Sequence, residues 1–134
     1  MDYLIGHLIG DFLFQNDWQA MNKKSFTLKG WIACLVHCIL YTLAVTACTG
    51  WWRWDLIGLV FLSHFPIDKT YIVAWYMIKV GAFKRVIEFK DINMPNDVGR
   101  VLGYSIINHK TWAYLFVDNT VHLTLLWAIA KWAL

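Results

Sequence analysis

The feature that most constrains this chain is a run of 18 residues, positions 31–48 (WIACLVHCILYTLAVTAC), without Asp, Glu, Lys or Arg. As a helix, roughly 20 apolar residues are enough to cross the ~30 Å hydrocarbon core of a bilayer. Residues 3–21, 56–81 and 111–132 are also long and largely apolar. The sequence therefore predicts an all-α protein, a bundle of about four transmembrane helices in a single domain, residues 1–134.

Composition supports a protein in contact with lipid. The chain is 59% hydrophobic and 16% charged and has nine Trp residues, whereas a soluble domain carries about 25% charged residues and Trp is enriched where membrane meets water. The net charge of +3 is small and spread along the chain, which excludes a nucleic-acid partner. The expected partners are the lipid bilayer and a second membrane protein or a second copy of this chain.

The basic residues are distributed unevenly among the connections. Residues 49–55 (TGWWRWD) hold only Arg53, whereas two other connections hold most of the Lys and Arg: Lys23, Lys24, Lys29, Lys84, Arg85, Lys90, Arg100 and Lys110. Because cytoplasmic loops carry an excess of Lys and Arg, the basic loops are predicted to be cytoplasmic and both termini outside. Between the third and fourth predicted helices, Val98, Val101 and Leu102 have the spacing of a short amphipathic surface helix.

Three of the predicted helices carry a histidine and an aspartate four residues apart. The pairs are His7–Asp11, His64–Asp68 and Asp118–His122, and the second predicted helix adds His37. Residues four apart share one face of an α-helix. All four helices can therefore direct polar side chains to a common centre of the bundle.

A charged Asp in mid-bilayer costs about 2.5–3.5 kcal/mol even on the lenient insertion scale, so these groups need partners. Imidazole and carboxylate are preferred ligands of Zn, with Mn or Fe as alternatives. The sequence predicts one or two divalent ions, with His37 and Asp68 also as candidate catalytic residues. The predicted ligands are His7, Asp11, His37, His64, Asp68, Asp118 and His122.

Two neighbouring features bear on how these groups are held. Tyr41 lies four residues after His37, where it can orient that ring or a substrate oxygen. Gly6 and Gly10 form a small-x-x-x-small step, which predicts close packing of the first helix against a neighbour.

The phrases HLIGDFLFQNDW, FLSHFPIDK and VDNTVHLTLL together resemble an uncharacterised family of small multi-pass membrane proteins of bacteria and their phages. Its motifs are H-x-x-G-D-F-x-x-Q, H-x-x-x-D and D-[QN]-x-x-H, and the resemblance covers most of the chain. It implies a place in the bacterial inner membrane and supporting roles for Gln15 and Asn119. Asn119 stands where the family usually has Gln, which changes the hydrogen bonding beside the ligands. The His/Asp pattern is also loosely similar to that of inner-membrane metal-dependent hydrolases.

Three functions stay open from the sequence. The leading hypothesis is a metal-dependent hydrolase of a lipid-like or phosphoester substrate, in which the metal lowers the pKa of bound water toward 7 and Lys69 or the basic face attracts a phosphate. The alternative is a non-enzymatic membrane protein, such as a phage exclusion factor or a complex subunit, with a structural His/Asp/metal network. The third is a small ion or proton transporter.

Overall fold

A computed structural model describes residues 2–79 and 110–133 of the chain. Every element within these ranges is helical, so the all-α prediction is confirmed. The predicted surface helix between the third and fourth spans lies outside the described residues. The elements are α1 (Asp2–Leu8), a π-helical segment (Ile9–Leu13), α2 (Asp17–Asn22), α3 (Leu28–Thr49), α4 (Trp54–Lys69), α5 (Ile72–Lys79) and α6 (Lys110–Ala133).

Two helices are long and apolar enough to cross a bilayer, judged by length and composition. They are Leu28–Thr49, which is α3, and Ala113–Ala133 of α6. Thr27 begins α3 by accepting a hydrogen bond from the backbone N–H of Gly30, and Gly50 ends it in a left-handed conformation. These two helices correspond to the predicted spans at residues 31–48 and 111–132.

The first and third predicted spans are divided in the structure. After the π-helical segment, Asn16 starts the new helix α2: its side chain accepts from the N–H of Gln19, and the Gln19 side chain accepts from the N–H of Asn16. In the third span, α4 ends three residues after Pro66 and Thr70 is extended before α5 begins. Pro66 has no N–H for the helical hydrogen bond and so weakens the end of α4.

Helix α3 is central, and α1, the π-helical segment, α2 and α4 all pack on it. The contact with the N-terminal segment is close enough to require glycine. A Cβ atom on Gly6 would lie 2.7 Å from the Cα of Val45, and one on Gly10 would lie 2.7 Å from Cδ2 and 3.0 Å from Cα of Tyr41. The predicted close packing at Gly6 and Gly10 is therefore present, and it brings the π-helical segment against α3.

Two apolar clusters occupy the ends of the bundle and leave a polar layer between them. The first cluster includes Val60 on α4 and Leu126 on α6. The second includes Ile67 on α4, and Val121 on α6 packs against it. The histidines His64 and His122 lie between these positions on the same two helices, and both are buried. The core of the molecule is thus polar at mid-height, where the predicted functional residues meet.

Candidate metal centre

The π-helical segment sets the position of Asp11. The backbone N–H of Phe14 donates to the carbonyl of Ile9 over 3.0 Å, a bond across five residues that widens the helix at this point. Oδ1 of Asp11 lies 3.3 Å from Nε2 of His37 and 3.6 Å from Nε2 of His64. The first element of the chain therefore reaches the histidines of α3 and α4.

Helices α3 and α4 bring three buried groups together. Oδ2 of Asp68 lies 2.8 Å from Nε2 of His37 and 3.3 Å from Nε2 of His64, and the two imidazole nitrogens are 3.2 Å apart. Each of these three side chains is at most 2% exposed. A buried carboxylate needs a cation or several hydrogen-bond donors nearby, and both imidazoles lie close enough to Asp68 to contribute.

The separations among these donors can be compared with those of ligands around a small metal ion. Ligand atoms about 2.0–2.2 Å from a tetrahedral ion lie about 3.3–3.6 Å from one another. The five separations given above, among the oxygens of Asp11 and Asp68 and the Nε2 atoms of His37 and His64, range from 2.8 to 3.6 Å. Three of the five separations lie in the range expected for a tetrahedral ion, and the 2.8 Å between Asp68 and His37 is that of a hydrogen bond. The donor atoms of His37, His64 and Asp68 form a set that can hold a metal ion.

A second group adjoins the first through the other oxygen of Asp68. Nε2 of His122 lies 3.6 Å from Oδ1 of Asp68 and 3.7 Å from Oδ2 of Asp118. The Nδ1 atoms of His122 and His64 are 3.1 Å apart. Asp68 thus directs one oxygen to each group and is common to both.

The ligand-capable groups fall into three sets of three whose donor atoms all lie within 4.8 Å of one another. They are Asp11, His64 and His122; His37, His64 and Asp68; and Asp68, Asp118 and His122. Buried His/Asp clusters that can hold a metal ion are therefore present. Six of the seven predicted ligands belong to them.

Several buried polar atoms in this layer are unpaired. Within residues 2–79 and 110–133, Oδ1 of Asp11, Oδ1 of Asp118 and Nε2 of His122 have no hydrogen-bond partner. A buried acceptor without a partner costs about 1–3 kcal/mol, and more if it is charged. All three belong to the ligand-capable sets, so a bound cation would satisfy them, and the residues fit a metal.

The seventh predicted ligand, His7, has a different environment. Its Nε2 atom lies 2.8 Å from Oδ1 of Asn119, whose own amide donates to the carbonyl of Leu115. Its Nδ1 atom lies 3.0 Å from the hydroxyl of Tyr41 and 3.3 Å from Oδ2 of Asp11. Both ring nitrogens thus have partners. His7 contacts Asp11 directly, and Tyr41 and Asn119 hold the ring of His7 in place.

Lys23 belongs to the site although its sequence position did not point there. Its Nζ atom donates to Oδ2 of Asp68 over 2.7 Å and to Oε1 of Gln15 over 2.6 Å. Burial by itself lowers the pKa of Lys23, but the carboxylates of Asp68 and Asp11 outweigh burial, and the pKa is raised above its ordinary value. In the sequence, Lys23 served only as one of the basic residues that indicate membrane orientation. The chain between Gln15 and α3 has no regular helical periodicity that would place Lys23 beside Asp68.

The structure places the Lys69 side chain on the backbone of the connection before α3, away from the metal ligands. Nζ of Lys69 donates to the carbonyls of Ser25 and Lys23 and lies 4.3 Å from the ring centroid of Trp31. Its side chain is almost fully buried. Two of the three N–H donors of Lys69 are used in these contacts and the side chain is buried, so Lys69 is poorly placed to attract a phosphate.

Fold and site define a small all-helical protein with a buried His/Asp cluster able to hold a metal ion. Over residues 1–134 the chain matches the family described as "Protein of unknown function (DUF3307)", and it belongs to that family. The prediction of an uncharacterised family is confirmed, and the family's description gives no activity. Neither the curated proteins nor the solved structures contain a match.

Proposed function

We propose that this protein is a metal-dependent hydrolase of the bacterial inner membrane. The observation that carries the proposal is the presence of three sets of buried or partly buried His and Asp donor atoms, each set with all its donor atoms within 4.8 Å of one another. Zinc suits this donor set best, Mn and Fe accept the same ligands, and Asp118 with His122 offers room for a second ion.

The distribution of polarity supports a place in the membrane. The buried layer holds histidines and aspartates, whereas the outer faces of the helices carry large apolar side chains. On α3, Leu35, Ile39 and Leu43 are between 45% and 51% exposed. A water-soluble domain buries such a face, and lipid is the partner that covers apolar surface on every side of a bundle.

The two ends of the bundle support the predicted orientation. Tyr3, Trp51 and Ala133 pack against one apolar cluster, and Arg53 lies 6.0 Å from the ring of Trp132. The Trp-rich connection therefore lies with the start of α1 and the end of α6, at the end we assign to the outside. The basic connection of Lys23 and Lys24 lies at the opposite end, which we assign to the cytoplasm.

The four elements that contribute residues to the buried polar layer differ in length. Helices α3 and α6 are long enough to cross, while the 16 residues of α4 reach about 24 Å and the 12 residues of α1 and the π-helical segment about 18 Å. We propose that all four enter the hydrocarbon layer, with α1 held in it by α3. This arrangement brings all the predicted ligands to one depth.

The residues have distinct roles in the proposed hydrolysis. A bound ion lowers the pKa of water toward 7 and polarises an ester or phosphoester oxygen. Asp11, His37, His64 and Asp68 hold their donor atoms at fixed positions, which the contacts of Tyr41, His7 and Asn119 maintain. Asp118 is 18% exposed and has an unpaired oxygen within the described residues, so it is placed to take a proton from attacking water.

Metal analysis of the purified protein tests this proposal. Protein prepared without a His-tag, in mild detergent, is expected to contain about one or two equivalents of metal and to hydrolyse at least one member of a panel of phosphoesters and lipid esters. His64→Ala is expected to lose metal and activity, and Asp55→Asn, an exposed carboxylate paired with Arg53, to keep both. Wild-type protein that takes up no metal would overturn the proposal. Metal without hydrolysis would favour the structural network.

The histidine contacts favour proton transfer as a second candidate function. Nε2 of His37 lies 3.2 Å from Nε2 of His64, whose Nδ1 lies 3.1 Å from Nδ1 of His122. Three imidazoles in hydrogen-bond contact form a path along which a proton can pass. Proton flux into liposomes that persists after chelation of metal and disappears in Asp118→Asn would support this function over hydrolysis.

A further inference from the structure

Lys23 places a positive charge at the solvent-accessible margin of the metal centre. Its side chain is 13% exposed, while those of Asp11 and Asp118 are 15% and 18% exposed. The remaining ligand side chains of the site, on α3 and α4 and at His122, are at most 2% exposed. A substrate that approaches the ligands from solvent therefore meets Lys23 and these two carboxylates first.

The backbone of Lys23 is held in place by the end of α4. The carbonyls of Lys23 and Ser25 accept hydrogen bonds from Nζ of Lys69 over 3.2 and 2.6 Å, and the carbonyl of Lys24 accepts one from the hydroxyl of Tyr71 over 3.2 Å. Two of these three consecutive carbonyls are thus fixed by Lys69, the last residue of the helix that also carries two of the metal ligands, and the third by Tyr71 in the connection after that helix. An ordinary surface lysine has no such support, so the position of Lys23 is a built feature of the site.

Lys23 and a divalent ion would share one oxygen atom. Oδ2 of Asp68 is 2.7 Å from Nζ of Lys23 and 2.8 Å from Nε2 of His37, and Asp68 can hold a metal ion together with His37 and His64. Two cations that share a carboxylate oxygen repel each other, so each weakens the other's hold. When Asp68 binds an ion, the ammonium of Lys23 needs another anion as its partner.

We propose that Lys23 binds the phosphate group of the substrate beside the metal centre. The inference rests on the proposed function and narrows its substrate class to phosphoesters. A lysine ammonium is a compact cation that binds phosphate oxygens, and its flexible stem lets it leave Asp68 while the backbone stays fixed. An uncharged ester would leave this ammonium with the neutral amide oxygen of Gln15 as its partner and no anion. The phosphate belongs either to a lipid headgroup or to a soluble phosphoester.

Orthophosphate binding to the zinc-loaded protein tests the role of Lys23. Titration in detergent, followed by phosphorus NMR or calorimetry, is expected to show binding that weakens about tenfold or more in Lys23→Met, the loss of one charge-assisted hydrogen bond. Lys23→Arg is expected to retain most of the binding. Lys29→Met, which removes an exposed lysine at the start of α3, is the matched control and is expected to bind as the wild type does.

The zinc affinity of Lys23→Met is a second measurement. A purely structural role of Lys23 predicts that this affinity falls, whereas the proposed role predicts that it does not. Because Lys23→Met removes a competing cation, its zinc affinity is expected to equal or exceed that of the wild type. Loss of zinc affinity in Lys23→Met together with unchanged orthophosphate binding would overturn the inference and leave Lys23 as a structural counter-ion. Wild-type protein that takes up no zinc would overturn the proposed function, and this inference with it.

Nanodiscs distinguish the two sources of phosphate. In discs of phosphatidylcholine with phosphatidic acid, a lipid substrate is expected to show a phosphorus shift on adding zinc-loaded wild-type protein, which Lys23→Met lacks. In discs of phosphatidylcholine alone, orthophosphate binding that depends on Lys23 would indicate a soluble phosphoester. Either result supports the inference, and equal binding by the wild type and Lys23→Met in both kinds of disc would contradict it.

Discussion

The imidazole ring of His64 stacks on the phenol ring of Tyr41, with their centroids 3.5 Å apart and their planes inclined by 14°. The hydroxyl of the same tyrosine lies 3.0 Å from Nδ1 of His7. Tyr41 therefore fixes the central imidazole of the site with its ring and an outer imidazole with its hydroxyl. Substitution can separate these two contributions.

Tyr41→Phe and Tyr41→Leu are expected to affect metal binding differently. Phe keeps the stacking on His64 and loses one hydrogen bond, which costs about 1 kcal/mol of stability. Leu loses the stacking as well, and the freed imidazole is expected to lower metal affinity about tenfold to a hundredfold, as when other supports of metal ligands are removed. Competition with a chromophoric chelator measures the affinity. Equal affinities for the two variants would show that stacking does not hold His64.

His64→Ala and His7→Gln test which histidines bind the ion directly. His64 belongs to two of the three ligand-capable sets, and His7 belongs to none of them. We expect His64→Ala to retain less than about a tenth of the wild-type metal, because a four-coordinate site loses a ligand. His7→Gln is expected to keep the metal stoichiometry with about tenfold to a hundredfold lower affinity. Elemental analysis and a chelator titration measure these two quantities.

Helical content by circular dichroism serves as the control for both histidine variants. A variant that loses metal and keeps its helical signal has lost a ligand, whereas one that loses both has lost its fold. Loss of all metal from folded His7→Gln would show that His7 binds the ion directly, as the sequence alone predicted.

How far the sequence predicts the site depends on the regularity of each element. His64 and Asp68 lie on the same helix, α4, which continues through Pro66, so a spacing of four residues was enough to place them together. Asp11 also reaches the cluster, but from a π-helical segment that residue spacing does not reveal. Lys23 follows a break in the helix and comes near Asp68 only through tertiary contacts, for which one sequence carries no periodic signal.

The sequence contains one signal for the division of the first predicted span into separate helices. Asn16 and Gln19 have the spacing of a capping box, a pattern that starts a new helix, and hydropathy alone concealed it. The end of α4 is harder to predict from the sequence, because Pro66 weakens the last turn but does not determine the residue at which the helix ends. Apolar composition therefore predicted which segments are helical better than where each helix ends.

Gly10→Ala tests the close contact between the π-helical segment and α3. The added Cβ would lie 2.7 Å from Cδ2 and 3.0 Å from Cα of Tyr41, so the segment that carries Asp11 must move. Such overpacking typically costs about 1–3 kcal/mol, and we expect metal affinity to fall with stability. Gly58→Ala in α4 is the matched control, because a Cβ there has no atom within 4 Å and Ala is the better helix former by about 1 kcal/mol. Thermal unfolding in one detergent compares the two variants.

The pH dependence of metal affinity tests whether imidazoles and Lys23 act as described. An imidazole binds a metal only when it is unprotonated, so metal affinity that depends on histidine ligands is expected to fall as the pH is lowered from 7.5 to 5.5. Because the pKa of Lys23 is raised, its ammonium competes equally throughout this range, and Lys23→Met is expected to shift the whole affinity curve without changing its slope. Zinc competition at pH 5.5, 6.5 and 7.5 measures both curves, and a flat wild-type profile would show that carboxylates alone hold the ion.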